Sequence, residues 1–380
     1  MKLVADAGLW STGPSTVEPP LVAVLEVTGA VLSWTVDDPA ADAATRITFT
    51  DPSRADWLWR VLGESGHVAV TGALASERDA DDAHTIELAG VDIVPGSVGP
   101  LRRLAVGHWL RRWWPASRRD GIVGLDRALL DAEVALLTSG AQAYFFDDTL
   151  DSDVVELLAP HAPALLTHLR EGDPRVLDLV RAAAGLADEV GIEDAGWPEL
   201  YAALDDSGSL VAMPSGRRDD YALAAGAGGG ARGGVSIAQG AAAINWSAVP
   251  PGIFDAAEDT VEWRVEAAGA SVVAVVHAAV IGPAPATGIA VRLRSGAISG
   301  SGAMDAGGGA TLPLADDRRG PLTESAAWDH DWSATSVVVG ADVSESGEAR
   351  DRARRWARSR LDRPPADAFL AEILAAESDY

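Results

Sequence analysis

The chain has no cysteine, which removes disulfides, thiolate zinc sites, iron–sulfur clusters and a cysteine nucleophile together. Its one lysine is Lys2, so the lysine of a phosphate-binding loop, a Schiff base or a kinase is missing as well. Neither a G-x-S-x-G elbow nor an H-E-x-x-H pair occurs, and Ser, His and Asp are too scattered to place a triad by spacing. The longest apolar run, near residues 272–281, contains His277 and is too short to span a bilayer. Met1 and Lys2 lead into Leu3, Val4 and a mixed polar stretch, with no signal-type apolar segment. These absences predict a soluble, cytoplasmic chain with no cofactor, no metal and no membrane span.

What is present is a large acidic protein. Its 380 residues, 48% of them hydrophobic, suffice for two or three domains with ordinary cores. A net charge of −26 repels polyanions, so nucleic acid and anionic membranes are disfavoured as partners. The basic residues are unevenly spread: six arginines fall within residues 102–119 and seven within 350–363.

The clearest structural signal lies in residues 261–294. Val261, Trp263 and Val265 alternate with Glu262, Arg264 and Glu266, the pattern of a strand with one wet and one buried face. Residues 272–276 are apolar on both faces, which predicts a central strand covered from two sides with His277 inside or at its edge. Ile289, Val291 and Leu293 alternate with Ala290, Arg292 and Arg294 in a further strand. Short strands continue to about residue 339 with Gly and Pro between them, which predicts an antiparallel sandwich.

Around this core the periodicities predict an α+β protein in four parts. Residues 1–115 form a small N-terminal α/β or mostly β unit, with a turn at Thr28-Gly29, a helix from about Asp51 that Gly63 stops, and a strand at 67–70. Residues 120–206 have helical period, and Asp173-Pro174 is an N-cap followed by Pro at N1. Residues 207–343 form the sandwich, closed by C-terminal helices in 344–380, where Ser344 or Ser346 caps the first and Asp367 the second. Arg118-Arg119-Asp120-Gly121 reads as a linker, and residues 225–234, nearly all Gly and Ala, as a flexible loop.

Several clusters compete for a functional role. The run from Gly228 to Gly233 satisfies G-x-G-x-x-G, but no helix signal opens at its end, so a low-complexity loop explains it better than a dinucleotide fingerprint. Asp147, Asp148, Asp151 and Asp153 lack the Gly and terminal Glu of a calcium loop, and Asp151 or Ser152 as the cap of the following helix explains the cluster better. His161 and His168 are seven apart with Pro163 between them and have no evident third ligand, which favours a structural role. Asp329-His330-Asp331, between Trp328 and Trp332, marks the place where a hydrolase or metal-dependent enzyme would carry its site. Trp263, Trp328 and Trp332 would be the stacking platforms of a ligand-binding sandwich.

The two arginine segments carry the preferred functional expectation. In a helix through residues 101–114, Val106, Trp109, Leu110 and Trp113 form one stripe, with most of the arginines outside it. Arginine interleaved with tryptophan is what docking surfaces use for bidentate contact and stacking. Arg102, Arg103, Trp109, Arg111, Arg112 and Trp113, with Arg354, Arg355 and Arg358, are therefore expected to engage an acidic protein partner. The competing account pairs these arginines with the chain's own carboxylates and buries their tryptophans. The expected function is a non-catalytic binding or scaffold component of a cytoplasmic assembly. The sequence does not fix its oligomeric state.

Overall fold

The computed structural model describes residues 1–6, 8–15, 17–38, 44–76, 84–145, 151–193, 196–207, 236–269, 271–318 and 320–378. The Gly/Ala-rich segment 225–234, its G-x-G-x-x-G run, the charged stretch 77–82 and the pair Asp147-Asp148 lie outside these residues. The chain is an α+β protein whose two sheets are both antiparallel. It divides into two compact units. Among the described residues, no helix is long and apolar enough to cross a membrane.

The first unit comprises Met1–Pro115, Ile122–Ala203 and Glu345–Tyr380. This joins the N-terminal part, the helical middle and the C-terminal helices, which were expected as separate segments. The strands are β1 (Lys2–Asp6), β2 (Leu9–Thr12), β3 (Val22–Val27), β4 (Ala30–Thr35), β5 (Arg46–Phe49) and β6 (Thr85–Glu87), in the order β3-β4-β5-β2-β1-β6. The α/β unit expected at the N-terminus thus takes the form of a wholly antiparallel sheet with helices. Thr28-Gly29 is the β3–β4 turn, and Gly29 supplies the positive φ of 79° that such a two-residue loop requires.

Helix α1 (Leu58–Ser76) bends at Gly63, where φ is 72°, and then continues. The stop expected at Gly63 is therefore a kink, and residues 67–70 are helical because Val70 and Leu74, one turn apart, both need burial. Helix α2 (Gly99–Trp113) buries Leu101, Leu104, Ala105 and Trp109 and ends before Pro115. Beyond it lie α3 (Arg127–Phe145), α4 (Asp151–Leu158), α5 (Ala162–Glu171), α6 (Pro174–Glu189) and α7 (Trp197–Ser207). Asp173 caps α6 through the Arg175 N–H at 2.8 Å, with Pro174 in the first turn as expected.

In the second unit, Ala116–Gly121 and Leu204–Ser344, the strands are β7 (Ser236–Ala242), β8 (Val261–Ala268), β9 (Ser271–Ala278), β10 (Ala290–Ser295), β11 (Ile298–Ala303), β12 (Gly309–Ala315) and β13 (Ser336–Val339). Helix α8 (Glu324–Trp328) precedes β13. The expected sandwich is realised as one sheet, β13-β10-β11-β12-β9-β8-β7, in which β11 and β12 share only two paired positions. Gly300 permits that junction, since a β-carbon there would stand 2.7 Å from Leu314 Cδ2. Burial alternates along β9, with Val272, Ala274 and Val276 inside and His277 exposed, so this strand has one covered face and His277 is not interior. Arg118 and Arg119, expected in a linker, are held inside this unit: both backbone N–H groups donate to the buried Asp255, at 2.9 and 3.4 Å.

The C-terminal helices α9 (Gly347–Asp362) and α10 (Leu370–Ser378) belong to the first unit. Ser346 caps α9 through the Ala349 N–H at 3.3 Å. Asp367 does not cap α10; its carboxylate pairs with Arg102 and Arg360, and the Leu370 N–H donates instead to Glu133 at 2.8 Å.

Two predictions follow from this packing. Glu372 is fully buried and accepts from Arg360 at 2.5 and 2.8 Å and from the Phe369 N–H at 2.9 Å. Glu372→Ala leaves the buried Arg360 with only its 3.4 Å contact to Asp367, and urea denaturation is expected to show a loss of about 3 kcal/mol. His168 on α5 meets Asp126 at 2.8 Å and Glu171 at 3.0 Å. Desolvation pulls its pKa down, but the hydrogen bonds and charges of Glu171 and Asp126 together outweigh it, and the pKa is raised above 6.5. Its stabilisation is complete below the unfolded value and is lost as pH rises through the folded one. The stability gap between the parent and His168→Ala is expected to be larger at about pH 6 than at about pH 9.

Candidate functional site

The two arginine segments are largely consumed within the first unit. Arg102 donates to the Asp38 carbonyl at 3.0 Å, and Arg103 lies over the Phe369 ring and pairs with Glu133. Arg111 Nε meets Asp131 at 2.7 Å. Trp109 is 2% exposed, donates to the Pro20 carbonyl at 2.5 Å and stacks edge-to-face on Trp356. Arg112 lies over the half-buried Trp113 at 4.3 Å, and burial lowers its pKa against the pull of Glu345. Arg354 is 3% exposed and paired with Asp351. Arg358 is half-buried and Arg355 is exposed. Trp109 and Arg354 are therefore interior and cannot form part of a docking face.

The Asp329–Asp331 stretch, in the second unit, is equally occupied. Asp331 caps the turn Trp332–Ala334 through the Ser333 N–H at 2.9 Å, and that bond holds its carboxyl below the usual range. His330 Nε2 lies 2.9 Å from Ser295 Oγ, with the Trp332 ring edge-on at 4.7 Å. This serine–histidine contact spans 35 residues and is invisible to spacing. Ser295 is 1% exposed, and its hydroxyl also lies 3.1 Å from that of Thr335, which donates to the Trp332 carbonyl at 2.7 Å. Among the described residues, no three His, Asp or Glu side chains converge as a metal would need. Of the three expected stacking platforms, Trp263 and Trp332 are buried, which leaves Trp328 exposed by itself.

The structure places a groove elsewhere in the first unit. Its volume is 560 Å³. One wall is Val24, Leu25, Glu26 and Val27 of β3, followed by Thr28 and Gly29 of its turn. The other walls come from Leu104 and His108 on α2, Thr138 and Phe145 on α3, and Asp153 on α4, with Thr50 and Arg54 at the end of the hairpin. β3 is an edge strand, so alternate backbone N–H and C=O groups point away from β4. Residues of this edge strand line the groove.

The strand is held in place by tryptophans. Trp57 donates to the Thr28 carbonyl at 2.7 Å, and Trp109 to the Pro20 carbonyl just before β3. α2 is fixed against α3 by Gly107, where a β-carbon would meet Val134 at 2.7 Å and Phe369 at 2.9 Å. His108, the next residue, thereby reaches the groove.

His108 is the chemically distinctive group of the lining. Burial, helped by the Arg111 guanidinium, lowers its pKa to about 4, so at neutral pH it is an uncharged imidazole with one donor and one acceptor nitrogen. Among the described residues nothing forms a hydrogen bond with it. Behind it Asp131, 3% exposed, accepts from Arg111, Arg127 at 2.9 Å and His161 at 3.0 Å. Burial alone would raise the Asp131 pKa, but His161 and the two arginines outweigh it, and the carboxyl stays ionised. His161 thus has the structural role expected of it, as a link between α3 and the turn before α5.

No protein family, curated protein or solved structure matches this chain. The site alone carries the functional argument.

The lowered pKa of His108 is testable. Between its ordinary value of 6.5 and about 4 the unfolded chain binds a proton that the native imidazole refuses, so stability falls as pH falls through that window. The stability of His108→Gln relative to the parent, followed by urea denaturation, is expected to improve as pH drops from about 7 to about 4. A constant difference would mean that the imidazole titrates normally.

Proposed function

We propose that the chain is a non-catalytic binding component of a cytoplasmic protein assembly, and that it takes an extended segment of a partner polypeptide into the groove along β3. The observation that carries this reading is the run of four consecutive edge-strand residues, Val24 to Val27, lining one wall. An added strand draws affinity from main-chain hydrogen bonds, and specificity from pockets for alternate side chains. At about 3.4 Å per residue, these four residues of strand offer room for a partner segment of similar length. Val24 is 41% exposed and available for cross-strand contact. Opposite β3, the neutral His108 offers a donor and an acceptor to a backbone or side chain without the cost of desolvating a charge.

The acidic partner expected from the arginine segments is modified by this location. Arg54 shares the lining with Glu26 and Asp153, so a segment of mixed charge suits the groove better than an acidic one. The non-catalytic reading is supported by His108 having no hydrogen-bonded carboxylate or hydroxyl among the described residues to form an acid–base or nucleophile couple. Chain-wide lack of cysteine is consistent with a cytoplasmic setting.

The test is a selection from a displayed library of random peptides about ten residues long, long enough to pair along the strand. Enriched peptides are expected to lose binding when alternate amides are N-methylated on one side of the strand, and when His108→Trp fills the groove. Peptides that bind the filled variant as well as the parent, or a selection with no enrichment, would remove the groove from the account.

A further inference from the structure

We propose a second binding site, on the outer face of the second unit's sheet, that takes a small phosphomonoester between Arg292 and Arg294. The two arginines are two residues apart on β10, so they stand on one face, about 7 Å apart along the strand. Register places Ser301 of β11 beside Arg292, and Ser299 of β11 and Ser336 of β13 on either side of Arg294. All five side chains are exposed, and they line a hollow of 770 Å³ whose remaining wall includes Pro313 and Ala315. Because the neighbours are short, the guanidinium groups are the tallest features of the patch.

The charges there are not used up by the protein itself. Arg294 has no carboxylate partner among the described residues, in a chain with 56 acidic and 30 basic side chains. Arg292 reaches only Asp342, at 3.7 Å, and that carboxylate is 80% exposed. A solvent-exposed pair of this length is weak and exchanges readily for a better anion. In the first unit, by contrast, Arg111, Arg127 and Arg352 meet carboxylates at 2.7–2.9 Å.

The chemistry selects the ligand class. A guanidinium binds two oxygens of a phosphate side by side, and a tetrahedral phosphoryl group has enough oxygens to meet two such forks from different directions. A planar carboxylate is satisfied by one. Ser299 and Ser301 add hydroxyl donors beside the forks. Ser336 spends its proton on the Arg294 carbonyl at 3.4 Å and contributes room more than binding. The flat apolar rings and methyls of Pro313 and Ala315 suit the organic part of a monoester. A nucleic acid would meet the repulsion of the whole −26 charge, whereas a small dianion feels mainly the local pair.

The experiment uses the full chain at low ionic strength, with inorganic phosphate and phenyl phosphate as probes, read by phosphorus NMR and calorimetry. Saturable binding is expected, tighter for phenyl phosphate than for inorganic phosphate. Arg294→Gln should weaken it at least about tenfold, which is the scale of one charge-assisted hydrogen-bonded contact. Arg294→Lys should weaken it less, and Arg264→Gln, which removes an exposed arginine from β8, should leave it unchanged. All these positions are exposed, and circular dichroism checks that the variants keep the parent fold. Binding by Arg294→Gln equal to that of the parent, or no saturation by either probe up to about 10 mM, overturns the site. Tighter binding of inorganic phosphate than of phenyl phosphate overturns the monoester class.

Discussion

Three buried or half-buried carboxylates organise the first unit. Asp131 and Glu133 on α3 and Glu372 on α10 each accept hydrogen bonds from at least two elements of the unit. Asp131 joins α2, α3 and the turn before α5, while Glu133 joins α2 to the start of α10. Glu372 ties α9 to α10. Burying charge is costly unless every lone pair is met, and here each carboxylate collects a guanidinium together with a further cation or a backbone N–H. Helices separated by more than two hundred residues in the chain are registered against one another by these contacts. The position of α2, and with it one wall of the groove, rests on them.

The preponderance of arginine over lysine fits that use. A guanidinium offers a rigid fork and keeps its proton when buried, whereas an ammonium in the same place would neutralise or stay unsatisfied. Arg360 meets Glu372 with two nitrogens and lies over the Trp356 ring, and Arg352 meets Asp37 through Nε and an η nitrogen. Excess acid therefore does not make the protein uniformly anionic at every point. It supplies internal partners to two basic helices, and its surplus faces water. Where a pair of arginines escapes this pattern, as on β10, the exception carries information.

Much of the architecture was legible in local pattern, because a strand with one dry face or a helix with a capped start carries its signal within a few residues. The strands at 261–294, the Thr28-Gly29 turn and the α6 cap are of this kind. What could not be read was set by distant neighbours. Arg103 looks like an exposed basic residue until Asp367, 264 positions later, comes to lie beside it. His108 sits beside an apolar stripe and gives no sign of a role, because the opposite wall of its groove is residues 24–28. Gly63 carries a real backbone signal, a positive φ, but whether the helix resumes beyond it depends on burial of Val70 and Leu74. The arginine segments drew notice for their composition, and composition does not say whether a charge faces water or a carboxylate.

The edge-to-face contact of Trp109 and Trp356, with ring centroids 4.9 Å apart, has an optical consequence. Two indoles fixed at an 84° interplanar angle in a chiral, packed setting couple their transitions and contribute to the near-ultraviolet circular dichroism. The two rings belong to α2 and α9, far apart in sequence, so that contribution exists only while the last helices are seated on the first unit. The protein thus carries a built-in spectroscopic reporter of its own C-terminal docking. It can distinguish detachment of α9 from global melting without any label.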